Sequence, residues 1–195
     1  LLDAGYYYLK QQRRSPGLPE AEVIRIAVKS LGLDELRPFD PQEKVIEYRL
    51  AAAEPPRLGR SSLAAFSEAV ASDRVTPGGG AASAYVATLG AALGTMVANL
   101  TVHRREQADQ WETFSGIALR GEALRRDLLQ LVDADADAFQ ALLAARRLPR
   151  LTGEGKRLRQ AAIQEALRRA TEAPLEVIQK SLAAFDVLAA VIEQG

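Results

Sequence analysis

The sequence predicts an all-α protein built as an antiparallel helical bundle. Apolar residues recur at three- and four-residue steps over most of the chain, no segment alternates with a period of two through β-branched residues, and capping residues flank the periodic runs. Leu2, Tyr6 and Leu9 mark a first helix. Val23, Ile26, Ala27 and Leu31 mark a second, closed by Gly32 in SLGLDEL. A third, short element runs from Pro41 to Tyr48, with Asp40 as N-cap and Pro41 at the first helical position. The stretch from Ala51 to Arg60, with Pro55, Pro56 and Gly59, has no apolar period and is expected to be a linker. Beyond it, Ser61 or Ser62 caps a helix carrying Leu63, Phe66 and Val70, and the turn from Thr76 to Gly80 stops it. An apolar helix follows, then a long one from about Trp111 to Arg147, ended by Pro149. Another runs from about Lys156 to Ala170, and Pro174 opens a last one through Val177, Ile178, Leu182, Phe185 and Leu188. The chain thus divides into residues 1–50, a linker at 51–60 and a helical domain at 61–195. The first part is too short to stand alone and is expected to stay outside the core of the bundle.

Composition narrows the function. Lysine and arginine total 25, as do aspartate and glutamate, so no basic excess draws the chain to nucleic acid or to an anionic membrane. The absence of cysteine removes disulfides and thiolate chemistry and accords with a cytoplasmic location. One histidine cannot build a multi-histidine metal site, and no metal is expected. The opening Leu1-Leu2-Asp3 has no initiator methionine and resembles no signal peptide, so the chain reads as a piece of something longer. From Val75 to Val102, 28 residues carry no formal charge. Their Ala, Gly, Ser and Thr content favours a helix packed on all sides in a soluble bundle over a membrane span, with Gly90 and Gly94 admitting a neighbouring backbone. So much uncharged surface also predicts a homo-oligomer, at least a dimer.

Two features could carry chemistry. On the long helix, one stripe runs through Leu128, Val132, Asp135, Phe139 and Leu142, which aims Asp135 at the core. Asp133 and Asp137 fall on the opposite stripe with Arg126, Gln130 and Gln140, as residues of a solvated face. A carboxylate in an apolar seam must be paired, hydrogen-bonded or neutral. Asp135 is therefore either a proton-transfer group or a structural carboxylate, and the pattern leaves both open. The second feature is Thr76-Pro77-Gly78-Gly79-Gly80 before a helix. Three glycines give a flat or anionic ligand access to backbone amides, or else make a tight corner. No P-loop lysine and no preceding strand accompany them, which excludes those two phosphate-binding motifs. Arg104 and Arg105, beside His103, can hold a carboxylate or complement a helix dipole.

Taken in order, VASDRVTPGGGAASA, LGAALGTMV, LVDADADAF, RLPR and KRLRQAAIQEALRRATEAPLEV resemble the cyclodeaminase/cyclohydrolase family of folate enzymes. The segment IRIAVKSLGLDELRPFDPQEKVIEY resembles the C-terminal end of a formiminotransferase domain, an α/β domain of which residues 1–50 would be a mainly helical remnant. The pairing of these neighbours is the signature of the bifunctional formimidoyltransferase-cyclodeaminase family. The resemblance implies that more transferase lies upstream and that the last cyclodeaminase helices lie downstream. It implies ring closure of 5-formimidoyl-tetrahydrofolate with loss of ammonia, no cofactor beyond the folate, and Asp135 as the catalytic aspartate. By the same resemblance Pro77, Gly78, Gly79 and Gly80 belong to the folate site, with the basic pair Arg104 and Arg105 beside them, and the folate can carry a polyglutamate tail. Gln107 stands where the family often has an aromatic residue, and His103 has no family counterpart. Methenyl-tetrahydrofolate cyclohydrolase activity and a non-catalytic helical assembly module are the alternatives.

Overall fold

The computed structural model describes residues 1–35, 37–52, 57–102 and 110–194, and every regular element among them is helical. In order these are α1 (Leu2–Gln11), α2 (Glu20–Ser30), α3 (Pro41–Lys44), α4 (Ile46–Ala52), a 3-10 turn (Leu58–Arg60), α5 (Leu63–Ala71), α6 (Gly79–Val102), α7 (Trp111–Arg147) and α8 (Gly153–Gln194). The chain forms two compact units. One joins Leu1–Pro56 with Ala91–Ala123 and Asp186–Gly195; the other joins Arg57–Gly90 with Leu124–Phe185.

In the first unit, α1 and α2 close on Leu9, Val23 and Ile26, with Leu2 and Leu18 against them. Gly5 makes this possible, because a Cβ there would meet the Val23 carbonyl oxygen at 2.6 Å. Gly32 ends α2 with a positive φ, as its sequence position predicts. Asp40 caps α3 by accepting from the Gln42 amide, but extended backbone at Val45 divides the expected Pro41–Tyr48 element in two.

The expectation that the first fifty residues stay outside the bundle core is overturned. Gly17 lies so close to Ala118 of α7 that a Cβ would meet its backbone at 2.3 Å, and the Asn99 side-chain amide donates to the Gly17 carbonyl at 2.8 Å. Gly121 of α7 meets Thr95 of α6 and Val187 of α8 in the same way. Small residues at contact points bring backbones together, and the sequence pattern did not show which partner they would serve.

In the second unit, α7 and α8 run antiparallel. Lys180 pairs with Asp127 at one end, and the Arg159 guanidinium donates to the Arg146 carbonyl at the other. Leu142, Ala145 and Ala166 pack between them. Where two helices were expected on either side of Pro174, α8 is one helix of 42 residues with Pro174 inside it. A proline there removes the donor to the Ala170 carbonyl and costs about 3 kcal/mol in an isolated helix. The flanking turns bury Ala166, Ala173 and Val177, and that packing offsets the cost.

The reading of α6 as packed on all sides is also corrected. Up to its last turn, where Thr101 and Val102 are also buried, its buried residues are the small ones, Ala81, Ala84, Thr88, Ala91, Thr95 and Ala98, while Val86, Leu89, Leu93, Met96 and Leu100 are exposed. Of the two glycines expected to admit a neighbour, a Cβ at Gly94 would meet Leu188, and one at Gly90 would meet nothing within 4 Å among the described residues. By length and composition α6 is the one described helix that could cross a membrane.

Candidate active site

The site is built where the N-terminus of α6 meets the middle of α7. Ser62 caps α5 through the Ala65 amide, and the Phe66 ring lies 5.2 Å from Tyr85 of α6, which fixes the start of α6 against α5. Between them runs the loop from Thr76 to Gly80. Its Thr76–Pro77 peptide is cis and Pro77 is buried.

Asp135 reaches this loop from α7. Its Oδ2 accepts from the Ala81 amide at 2.9 Å, so the carboxylate satisfies one of the unpaired donors of the first turn of α6. That end of a helix also favours negative charge. The other oxygen, Oδ1, accepts no hydrogen bond among the described residues. The expectation that Asp135 points into the core is refined: Leu128, Val132 and Leu142 of its stripe are buried, but Phe139 is exposed and Asp135 itself is half-buried. The core side of α7 at this level passes through Leu131 and Ala136 instead, which leaves Asp135 at the rim of the seam, hydrogen-bonded and half-buried.

The three glycines have different tasks. A Cβ at Gly80 would stand 2.1 Å from Asp135 Oδ1, so only glycine lets the carboxylate seat there. Cβ atoms at Gly78 and Gly79 would meet nothing within 4 Å among the described residues. Gly78 supplies the carbonyl that receives the Ala82 amide, while the amides of Gly79 and Gly80 meet no acceptor among the described residues. One glycine thus makes room for the aspartate, and two leave bare backbone facing outward beside it. Arg104 and Arg105, with His103 and Gln107, lie outside the described residues.

The opposite stripe of α7 is not a plain solvated face. Asp133 accepts from the Leu58 amide at 2.7 Å and the Gly59 amide at 3.4 Å, and Asp137 pairs with Arg57 at 3.2 Å. Gln140 donates to the Thr76 hydroxyl at 3.1 Å. Periodicity found the stripe but could not show which returning backbone it would hold. Asp133→Ala, which leaves two amides without their acceptor, is expected to lower stability by about 1–2 kcal/mol, read as a shift in the urea midpoint. Asp137→Asn, at a surface ion pair, should change it by less than about 1 kcal/mol.

Residues 62–195 match the family described as Formiminotransferase-cyclodeaminase, and residues 1–51 match the Formiminotransferase domain. Among relatives, the chain is 41% identical over 180 residues to the formimidoyltransferase-cyclodeaminase of Rattus norvegicus, covering 92% of this chain and 33% of that protein. To the same enzyme of Gallus gallus it is 35% identical over 181 residues, with the same two coverages. To the methenyltetrahydrofolate cyclohydrolase of Methylorubrum extorquens it is 36% identical over 137 residues, 70% of this chain and 66% of that protein. The chain spans about a third of the length of its transferase-cyclodeaminase relatives.

Proposed function

The chain belongs to the formiminotransferase-cyclodeaminase family, and from that premise we propose that it catalyses the cyclodeaminase step, converting 5-formimidoyl-tetrahydrofolate to 5,10-methenyl-tetrahydrofolate and ammonia. The observation that carries this reading is the Asp135 carboxylate, with one oxygen pinned by the Ala81 amide, the other without a hydrogen bond among the described residues, and open glycine backbone beside it.

The protonated formimidoyl group presents an electrophilic amidine carbon. Folate N10 attacks it, forming the second carbon–nitrogen bond of the new ring. N10 then gives up its proton to Asp135 Oδ1, which returns it to the exocyclic amino group. That group departs as ammonia when its bond to carbon breaks, and the methenyl product keeps the positive charge. One carboxylate serves as base and then acid. In its ionised form it also stabilises the cationic product. The carbon keeps its oxidation state throughout, so the reaction requires no redox cofactor. Bare backbone at Gly78 and Gly79 suits a flat ring system that must approach it closely.

The test is direct: incubate the protein with 5-formimidoyl-tetrahydrofolate and follow methenyl product and ammonia together. Product without stoichiometric ammonia would point to another reaction. A cyclohydrolase is the second reading, favoured by the likeness to the Methylorubrum extorquens protein. The transferase match over residues 1–51 favours the first, because a formiminotransferase makes the formimidoyl folate that a cyclodeaminase consumes. Parallel assay with 5,10-methenyl-tetrahydrofolate separates them.

The reading extends to assembly and place. The exposed Val86, Leu89, Leu93, Met96 and Leu100 of α6 repeat at alternating three- and four-residue steps, the spacing of a helix-pairing seam, which supports assembly at least as a dimer; the cytoplasmic location is proposed on the cysteine-free sequence alone. Sedimentation should give at least twice the chain mass; a monomer at micromolar concentration would contradict this.

A further inference from the structure

Gln140 was first legible only as one residue of a polar stripe, and the chemistry proposed above does not use it. We infer that Gln140 is a positioning residue, which holds Thr76 and so sets the glycine loop against Asp135. The inference rests on the cyclodeaminase reading.

The loop is tied to α7 at both ends. At its start, Gln140 Nε2 donates to Thr76 Oγ1 at 3.1 Å; at its finish, the Ala81 amide donates to Asp135 Oδ2 at 2.9 Å. The two anchors are five residues apart on one helix, a rise of about 7.5 Å. A rigid helix therefore acts as a ruler for the strip of backbone between them. That strip holds Gly78, Gly79 and Gly80, the residues with the greatest conformational freedom to lose. Among the described residues, no atom lies within 4 Å of where Cβ atoms of Gly78 and Gly79 would stand. Their placement consequently depends on what flanks them: Gln140 holds Thr76, Pro77 is buried and Asp135 holds the Ala81 amide, so loss of the Gln140 bond loosens the start of the loop. Asp133, which holds Leu58 and Gly59, fixes the entry to α5 and does not touch the loop.

Thr76→Val removes the hydroxyl with little change in shape, and Gln140→Ala removes its partner. Each is expected to raise KM for 5-formimidoyl-tetrahydrofolate by about 3–10-fold, the worth of one net hydrogen bond, with kcat within about twofold. The double variant should be no worse than either single one, because both break the same bond. Gln140→Glu should restore KM, since its carboxylate accepts from the Thr76 hydroxyl. Hydrogen exchange supplies a readout independent of turnover: the Ala81 and Ala82 amides should exchange faster in both single variants. Additive effects, unchanged exchange, or a loss of kcat with KM intact would each overturn the inference. If the unaltered protein neither binds nor turns over the folate, the cyclodeaminase reading has failed, and exchange at Ala81 and Ala82 alone decides whether Gln140 positions the loop.

Discussion

Asp135→Asn is expected to lower turnover of 5-formimidoyl-tetrahydrofolate by a factor on the order of 10²–10⁴, the usual contribution of a general acid-base group. Asparagine keeps the shape, and its carbonyl oxygen can still accept from the Ala81 amide, so the start of α6 should hold and the melting temperature should move little. What is lost is an oxygen that can take and return a proton. KM should change far less than kcat, because the interaction removed operates in the transition state. Asp137→Asn is the matched control, two residues along at an exposed ion pair with Arg57, and should leave the rate near normal. Asp133 does not serve as a neutral control, since its variant releases the Leu58 and Gly59 amides. Full activity in Asp135→Asn, with activity lost in Asp137→Asn, would show that the assignment is wrong.

Gly80→Ala should lower the rate nearly as far while leaving Asp135 in the chain. The new methyl group would lie 2.1 Å from Oδ1 and 2.7 Å from Oδ2, a distance no real Cβ tolerates, so the carboxylate must swing away. It then loses the Ala81 amide. Loss of that external cap should cost about 1 kcal/mol of stability, partly offset because alanine suits a helix better than glycine. Gly79→Val provides the contrast. A Cβ at Gly79 meets nothing within 4 Å among the described residues, so melting should change little, while folate binding, measured by calorimetric titration, should be abolished because the valine covers the open backbone. If Gly79→Val binds folate normally the loop is only a corner. If Gly80→Ala keeps full rate, Asp135 works from a different seat than the one beside α6.

Much of this was written in one dimension. Helix positions follow from apolar periodicity and caps: Ser62 before α5, Asp40 before α3 and Gly32 after α2 all act where the sequence puts them, because capping is decided within three or four residues. Asp135 and the glycine run stand out in the sequence for the same local reason, as a charge in an apolar stripe and a costly run of flexible residues. Tertiary structure alone decided what each of them faces. Whether Pro174 begins a helix or sits inside one depends on packing around Ala166, Ala173 and Val177, which outweighs a local penalty. The small and large residues of α6 share one amphipathic-looking run, and only close approach to α7 and α8 turned the small ones inward. The division among Gly78, Gly79 and Gly80, and the pairing of Asp133 and Gln140 with distant backbone, belong to contacts between residues 54 to 75 positions apart. Periodicity records which way a side chain points along its own helix; it holds no information about the segment that comes back to meet it.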